Sequence, residues 1–290
     1  MPSPSAIRLE LPASPAAVTG IGRREAFLWT AICLLANQAV QLVDTSSFDA
    51  FAASLLTQNY IYWLACYVVI YRLHASDQAA RATRLDGCLV LAICVLIFFM
   101  SFLPYRFGTG LLASIAAGYL LTANGGDRNV RAAGAVLLAL STQLVWGPVL
   151  FQFFTPELLR ADAALVGEVL AALRPDIIWR NTTFLSPDGH AIALIGGCSS
   201  FNNVSTAVLA CVAIAMLTRT DWVRRDFATL AIACAVMILI NTLRLCLLAW
   251  SGEMHEFWHD GAGAQILGIG QTLAVLLIAW WGAAPRRRAA

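Results

Sequence analysis

Residues Ser251 to Gly263 read SGEMHEFWHDGAG and contain His255-Glu256-Phe257-Trp258-His259, an H-E-x-x-H arrangement. On a helix this spacing sets two imidazoles one turn apart, where they can hold zinc with the glutamate as general base. A second stretch able to do chemistry is Gly196-Gly197-Cys198-Ser199-Ser200. Serine is an N-cap residue type, and an apolar run follows, so Cys198 stands at the positive end of a helix dipole, a setting that favours the thiolate. The third is Asn241-Thr242-Leu243-Arg244, inside an apolar run. An arginine in hydrocarbon costs about 2.5–3.5 kcal/mol on insertion scales, so Arg244 is expected to face the bundle interior or a wet cavity, with Asn241 on the same helix face to orient it. The bland alternative is a guanidinium snorkelling to the headgroups. A thiol, an imidazole and a guanidinium are the parts of an acyl-transfer site: nucleophile, general acid/base and oxyanion stabiliser.

The elements that must position these groups follow from composition. The 290-residue chain is 59% hydrophobic and 12% charged, with a mean hydropathy of +0.72. These values describe an all-α polytopic membrane protein. Apolar runs fall at about Phe27 to Val43, Tyr60 to Leu73, Leu85 to Leu103, Phe107 to Ala123, Val130 to Phe154, Phe201 to Leu217, Phe227 to Ala249 and Gln265 to Gly282. They predict eight transmembrane helices in a single membrane domain over 27–284, between a disordered cytosolic tail (1–26) and a basic cytosolic end (285–290). The eight cysteines form no C-x-x-C pair, and all but Cys198 lie in or at the ends of apolar runs as small filler.

All nineteen basic residues are arginine and the net charge is +2. Scattered between apolar runs, they make no nucleic-acid face. With the N-terminus inside, fourteen arginines fall on the cytoplasmic side, four (Arg106, Arg160, Arg174, Arg180) outside, and Arg244 within a span. That asymmetry sets the orientation and brings Cys198, Arg244 and His259 to the outer side. The one long outer loop, 155–197, is predicted to begin with an amphipathic helix along the membrane surface, with Leu158, Leu159, Leu165, Val166, Val169, Leu170 and Leu173 on one side. A β-hairpin turning at Pro187-Asp188-Gly189 follows. Asn202 and Asn203 read as interhelical hydrogen-bonding groups, and Asn181-Thr182-Thr183 is a sequon with no context to support it.

At these residues the sequence resembles the exosortase/archaeosortase family of eight-span membrane transpeptidases. The resemblance lies in a Cys-Ser after the large outer loop, an Asn-x-x-Arg in the next span, and a histidine before a glycine-containing start to the final helix. It implies Cys198 as nucleophile, Arg244 as stabiliser of the tetrahedral oxyanion and His259 as acid/base, with Asn241, Ser199 and Asp260 in supporting roles. It also implies a cysteine transpeptidase or protease of a prokaryotic inner membrane, working without cofactor. Its partners would be exported proteins bearing a C-terminal sorting tail of motif, apolar helix and basic cluster, with a glycan or lipid as possible acceptor. Many family members carry glycine after Cys-Ser, where this chain has Ser200.

Two other readings compete. An intramembrane zinc protease would take His255 and His259 as ligands and draw the third from Leu85-Asp86-Gly87, yet the orientation above sets Asp86 at the inner end of its helix, about 30 Å from the histidines. His190, in the outer hairpin, is the spare ligand on the correct side. In the thiol reading His255 and Glu256 are loop residues and only His259 reacts. A transporter or envelope-polysaccharide assembly subunit would use Arg244 as a counter-charge, but the paired broken helices of transporters are missing.

Overall fold

The structure, a computed structural model, describes residues 22–42, 60–76, 82–100, 107–123 and 125–284. The expected tails over 1–21 and 285–290, and the predicted span ends at Val43 and Leu103, lie outside those residues. Every predicted apolar run is helical where described: α1 (Arg23–Leu42), α2 (Tyr60–His74), α3 (Arg84–Met100), α4 (Phe107–Thr122), α5 (Arg128–Ser141), α7 (Ser200–Thr218), α8 (Arg224–Trp250) and α10 (Ala262–Ala283). α1 begins four residues inside the segment expected to be tail. Four helical stretches are long and apolar enough to cross a membrane, Arg128–Leu173, Ser200–Thr218, Arg224–Trp250 and Ala262–Ala283, and Gly108–Thr122 is a shorter apolar helix.

The fifth run and the amphipathic helix form one continuous rod. α5 starts at Asp127, whose carboxylate accepts from the Asn129 and Val130 N–H groups, and passes through a π-helical turn, Thr142–Trp146, into α6 (Gly147–Leu173). The rod bends at Phe154 (φ −112°, ψ 15°), two residues before Pro156, which lacks an N–H and disrupts the ladder. Beyond the bend Leu159, Ala163, Val166 and Leu170 are buried, whereas Leu165 and Leu173 of the predicted stripe are exposed.

The expected hairpin is part of a three-stranded antiparallel sheet, β1 (Ile178–Arg180), β2 (Thr183–Leu185) and β3 (Ala191–Ala193), in the order β1-β2-β3. Asn181 turns β1 into β2 at φ +53°, a left-handed position that asparagine tolerates, and Gly189 does the same in the β2–β3 turn at φ +83°. The sheet packs on α6 and α8 through a second core in which Phe184, 1% exposed, meets Val166, Leu170, Leu245 and Leu248. Burying that one ring is worth ~1.5–3 kcal/mol. A methyl group at Gly167 would meet the Trp179 ring, so glycine lets β1 lie directly on α6.

Helix-end contacts divide the bundle into two ends. At one, Arg72 of α2 donates to the Met216, Leu217 and Arg219 carbonyls that finish α7. There too Arg225 of α8 donates to Trp281 and Ala284 at the close of α10, and Arg23 reaches Asp86 and the Ala123 carbonyl. The start of α7, the close of α8, the sheet and a short helix α9 (Gly252–His259) occupy the other end, about 27 Å away along α7.

Candidate active site

Cys198 closes a 3₁₀ turn, Gly196–Cys198, immediately before α7. Its N–H donates to the Ile195 carbonyl (2.8 Å). Ser199 is the N-cap, accepting from the Phe201 N–H through Oγ (3.2 Å). The turn is held from outside by Asp162 of α6, a residue that sequence reading missed. Its Oδ2 accepts from Ser199 Oγ (2.8 Å) and the Ser200 N–H (3.1 Å), and its Oδ1 accepts from Ser200 Oγ (2.5 Å). Asp162 is 4% exposed, and these three donors compensate the cost of burying it. Ser200 supplies two of them. The sequence did carry a signal: Asp162 is the one acidic residue at a buried position of the α6 stripe that includes Leu159, Ala163 and Val166.

α8 holds the turn from the other side. Asn241, buried, donates through Nδ2 to the Cys198 carbonyl (3.0 Å) and accepts from Asn203 Nδ2 (3.1 Å). Its amide is thus engaged with Cys198 and α7 rather than orienting Arg244, and Asn203 is the interhelical group expected of it. Arg244 lies three residues, about 4.5 Å, further along α8. It is partly buried and makes no hydrogen bond or ion pair among the described residues.

A cavity of about 260 Å³ opens beside Cys198, between β3 and the end of α8, and His190, His255 and His259 line it together with Leu245 and Leu248. The structure therefore brings Cys198 and His259 to one cavity, while Arg244 lies outside its lining. His259 ends α9, and its Nδ1 meets Asp260 Oδ1 at 2.8 Å. A carboxylate only accepts, so Nδ1 is the donor in this contact, and in the neutral ring the lone pair that a general base needs is then on Nε2. The loop expected at His255 and Glu256 is instead helical: Ser251 caps α9 by accepting from the Met254 N–H. His255 stacks on His259 (centroids 4.9 Å apart, 11° between planes) and also approaches His190 (5.0 Å). His190 donates through Nε2 to the Leu248 carbonyl (3.1 Å), which anchors the hairpin on α8.

These residues do not fit a zinc site. Asp86 sits at the opposite end of the bundle, and its oxygens accept from Arg23, Thr83 and Tyr119. Among the described residues no group of three His, Cys, Asp or Glu side chains is placed to hold a metal ion.

Asp188 ties the hairpin to α9, accepting from the His190 N–H (3.1 Å) and the Gly252 N–H (3.3 Å). The backbone bond from His190, then the Ser186 side chain and the Gly252 N–H, hold its carboxyl below the usual carboxylate range. Because the folded value is depressed, the tie is complete above the ordinary pKa of about 3.9 and is lost as pH falls through the lower folded value. Acidification below about pH 4 is therefore expected to lower the protection of the His190 and Gly252 amides relative to their intrinsic exchange rates at that pH, and Asp188→Asn to lower it at neutral pH.

Bundle and cavity together define a class, that of apolar helical proteins which bring a thiol and an imidazole to one end. The sequence matches the transmembrane exosortase family over residues 50–278, most of the chain, and the protein belongs to that family of membrane cysteine peptidases and transpeptidases. No curated protein and no solved structure gives a significant match.

Proposed function

We propose that this protein cleaves C-terminal sorting tails from exported proteins at the outer face of a prokaryotic cytoplasmic membrane, through an eight-span bundle with both termini inside and Cys198 as nucleophile. The observation that carries the reading is the shared cavity of Cys198 and His259, with Asp260 orienting the imidazole through Nδ1. His259 takes the Cys198 proton and the sulfur attacks the scissile carbonyl. The oxyanion role falls to Arg244 by the Asn-x-x-Arg resemblance: its guanidinium stands outside the cavity lining, has no competing partner among the described residues, and must turn in when substrate is bound. In a site screened poorly by water that charge is worth more than in solution. Collapse breaks the peptide bond, His259 returns its proton to the departing amine, and a thioester remains on Cys198. Water, or an amine or hydroxyl of a surface glycan or lipid, then attacks the thioester and releases the thiol. The arginine excess on the ends opposite Cys198 supports the orientation, since basic segments stay cytoplasmic.

The test uses membranes that contain the protein and a tail-bearing substrate. Thiol alkylation is expected to stop processing and a zinc chelator to leave it unchanged. His259→Ala is expected to lower processing by on the order of 10²–10⁴-fold, the usual worth of a general acid/base. His255→Ala removes only a stacking partner and is expected to cost tenfold at most (roughly 1.4 kcal/mol). Equal loss in both variants, with sensitivity to the chelator, would overturn the thiol reading in favour of a metal.

A further inference from the structure

We propose that the substrate enters the cavity as an added β-strand, its residues beside the scissile bond pairing in extended form with the open edge of β3. The proposal rests on Cys198 being the nucleophile. Among the described residues β3 pairs with β2 alone. The bonds that flank it, Ser186 N–H to the His190 carbonyl (2.8 Å) and Leu194 N–H to the Thr182 carbonyl (2.8 Å), show that residues 190, 192 and 194 turn their backbone groups toward β2. Alternate residues of a strand direct N–H and C=O to opposite sides, so Ala191 and Ala193 present theirs to the other edge. Among the described residues nothing bonds to them there.

That edge faces the cavity, which residues 190–195 line along with Cys198. An open edge is ordinarily blunted by charge, proline or a covering segment. Here the strand reads Ala-Ile-Ala-Leu-Ile, without charge or proline, and its outward side chains at 191 and 193 are exposed methyl groups that let a second backbone approach closely. Leu245 and Leu248 form the opposite wall, and the lining's ionisable groups are the thiol and the three imidazoles. Such a cleft accepts an extended segment with small or apolar residues in alternation, recognised by main-chain bonds and shallow pockets as in other strand-addition sites. The chain continues from β3 through Ile195 to the Cys198 turn, so a strand laid on this edge is delivered to the sulfur.

The experiment uses the full-length protein in lipid nanodiscs. The probe is a synthetic C-terminal tail from an exported protein of the same genome, comprising its apolar helix, its basic end and the residues before the helix. Single N-methyl groups are placed in turn on the amides near the cleaved bond, binding is measured on Cys198→Ala, and cleavage on wild type. The expected profile alternates, each second position losing about threefold to tenfold and its neighbours little, as the loss of one main-chain hydrogen bond implies. Ala193→Pro deletes an edge N–H without touching the β2 ladder; it is expected to raise KM by a similar factor while iodoacetamide still alkylates Cys198. A flat profile on a tail that wild type cleaves would overturn strand addition and leave the cysteine reading standing. Tails left intact by wild type would overturn both.

Discussion

Cys198→Ala is expected to abolish tail processing, with a rate loss on the order of 10⁴–10⁶-fold, the range found when a covalent nucleophile is removed. The protein itself should accumulate in the membrane as before. No other group lining the cavity forms a thioester, and the imidazoles beside it supply proton transfer without a covalent intermediate. Folding should be spared because the turn is held by main-chain atoms of residue 198 and by its neighbours. The N–H to Ile195, the carbonyl to Asn241 and the Asp162 bonds to Ser199 and Ser200 all survive the substitution. Immunoblots of a tail-bearing substrate, read beside the level of the enzyme, check the result. Processing at the wild-type rate would remove the thiol mechanism.

Asp162→Ala is expected to lower processing by about 10²-fold, the cost of misplacing a reacting group by about 1 Å. Three donors lose their acceptor at once, and each one left buried and unpaired costs about 1–3 kcal/mol. Water entering the gap recovers part of this, but it does not restore the position of the turn between α6 and α8. Asp162→Asn should be intermediate, since an amide oxygen still accepts while its NH₂ opposes a donor. The readout that separates positioning from general instability is the alkylation rate of Cys198 in protein that accumulates normally. A wild-type alkylation rate and wild-type processing in Asp162→Ala would show that the carboxylate does not position the thiol. Ser200→Gly, which keeps the N–H bond and loses the hydroxyl, should fall between the variant and wild type.

Much of the helical architecture was legible because hydrophobic length is a local property. The apolar runs are helical where the chain is described, the fifth continuing past its predicted end at Phe154 to Leu173, and the serines after Cys198 announced the cap that Ser199 makes. The hairpin at Pro187-Asp188-Gly189 was equally local. Its third strand, β1, was not, because none of Ile178–Arg180 is buried and the strand takes its place through pairing with β2 and the approach of Trp179 to Gly167. The loop assigned to His255 and Glu256 failed for a related reason. Two glycines flank that segment, yet Ser251 caps it and its packing against α8 and α10 stabilises two turns that would be marginal alone.

By itself the sequence determined the residue types with reactive side chains, the apolar runs that must become helices, and the order in which Cys198, Arg244 and His259 occur. Those are consequences of composition and short-range spacing, which the chain carries wherever it folds. Only the tertiary structure decided that the Cys198 turn is clamped by Asp162 from α6 and Asn241 from α8, that His190 and His255 share the cavity with His259, and that β3, with one edge unpaired among the described residues, lines that cavity with the thiol. The clamp contacts span 37 to 43 positions of chain. Nothing local specifies them, because a buried carboxylate or amide takes whatever donors and acceptors the packing of distant helices brings within reach.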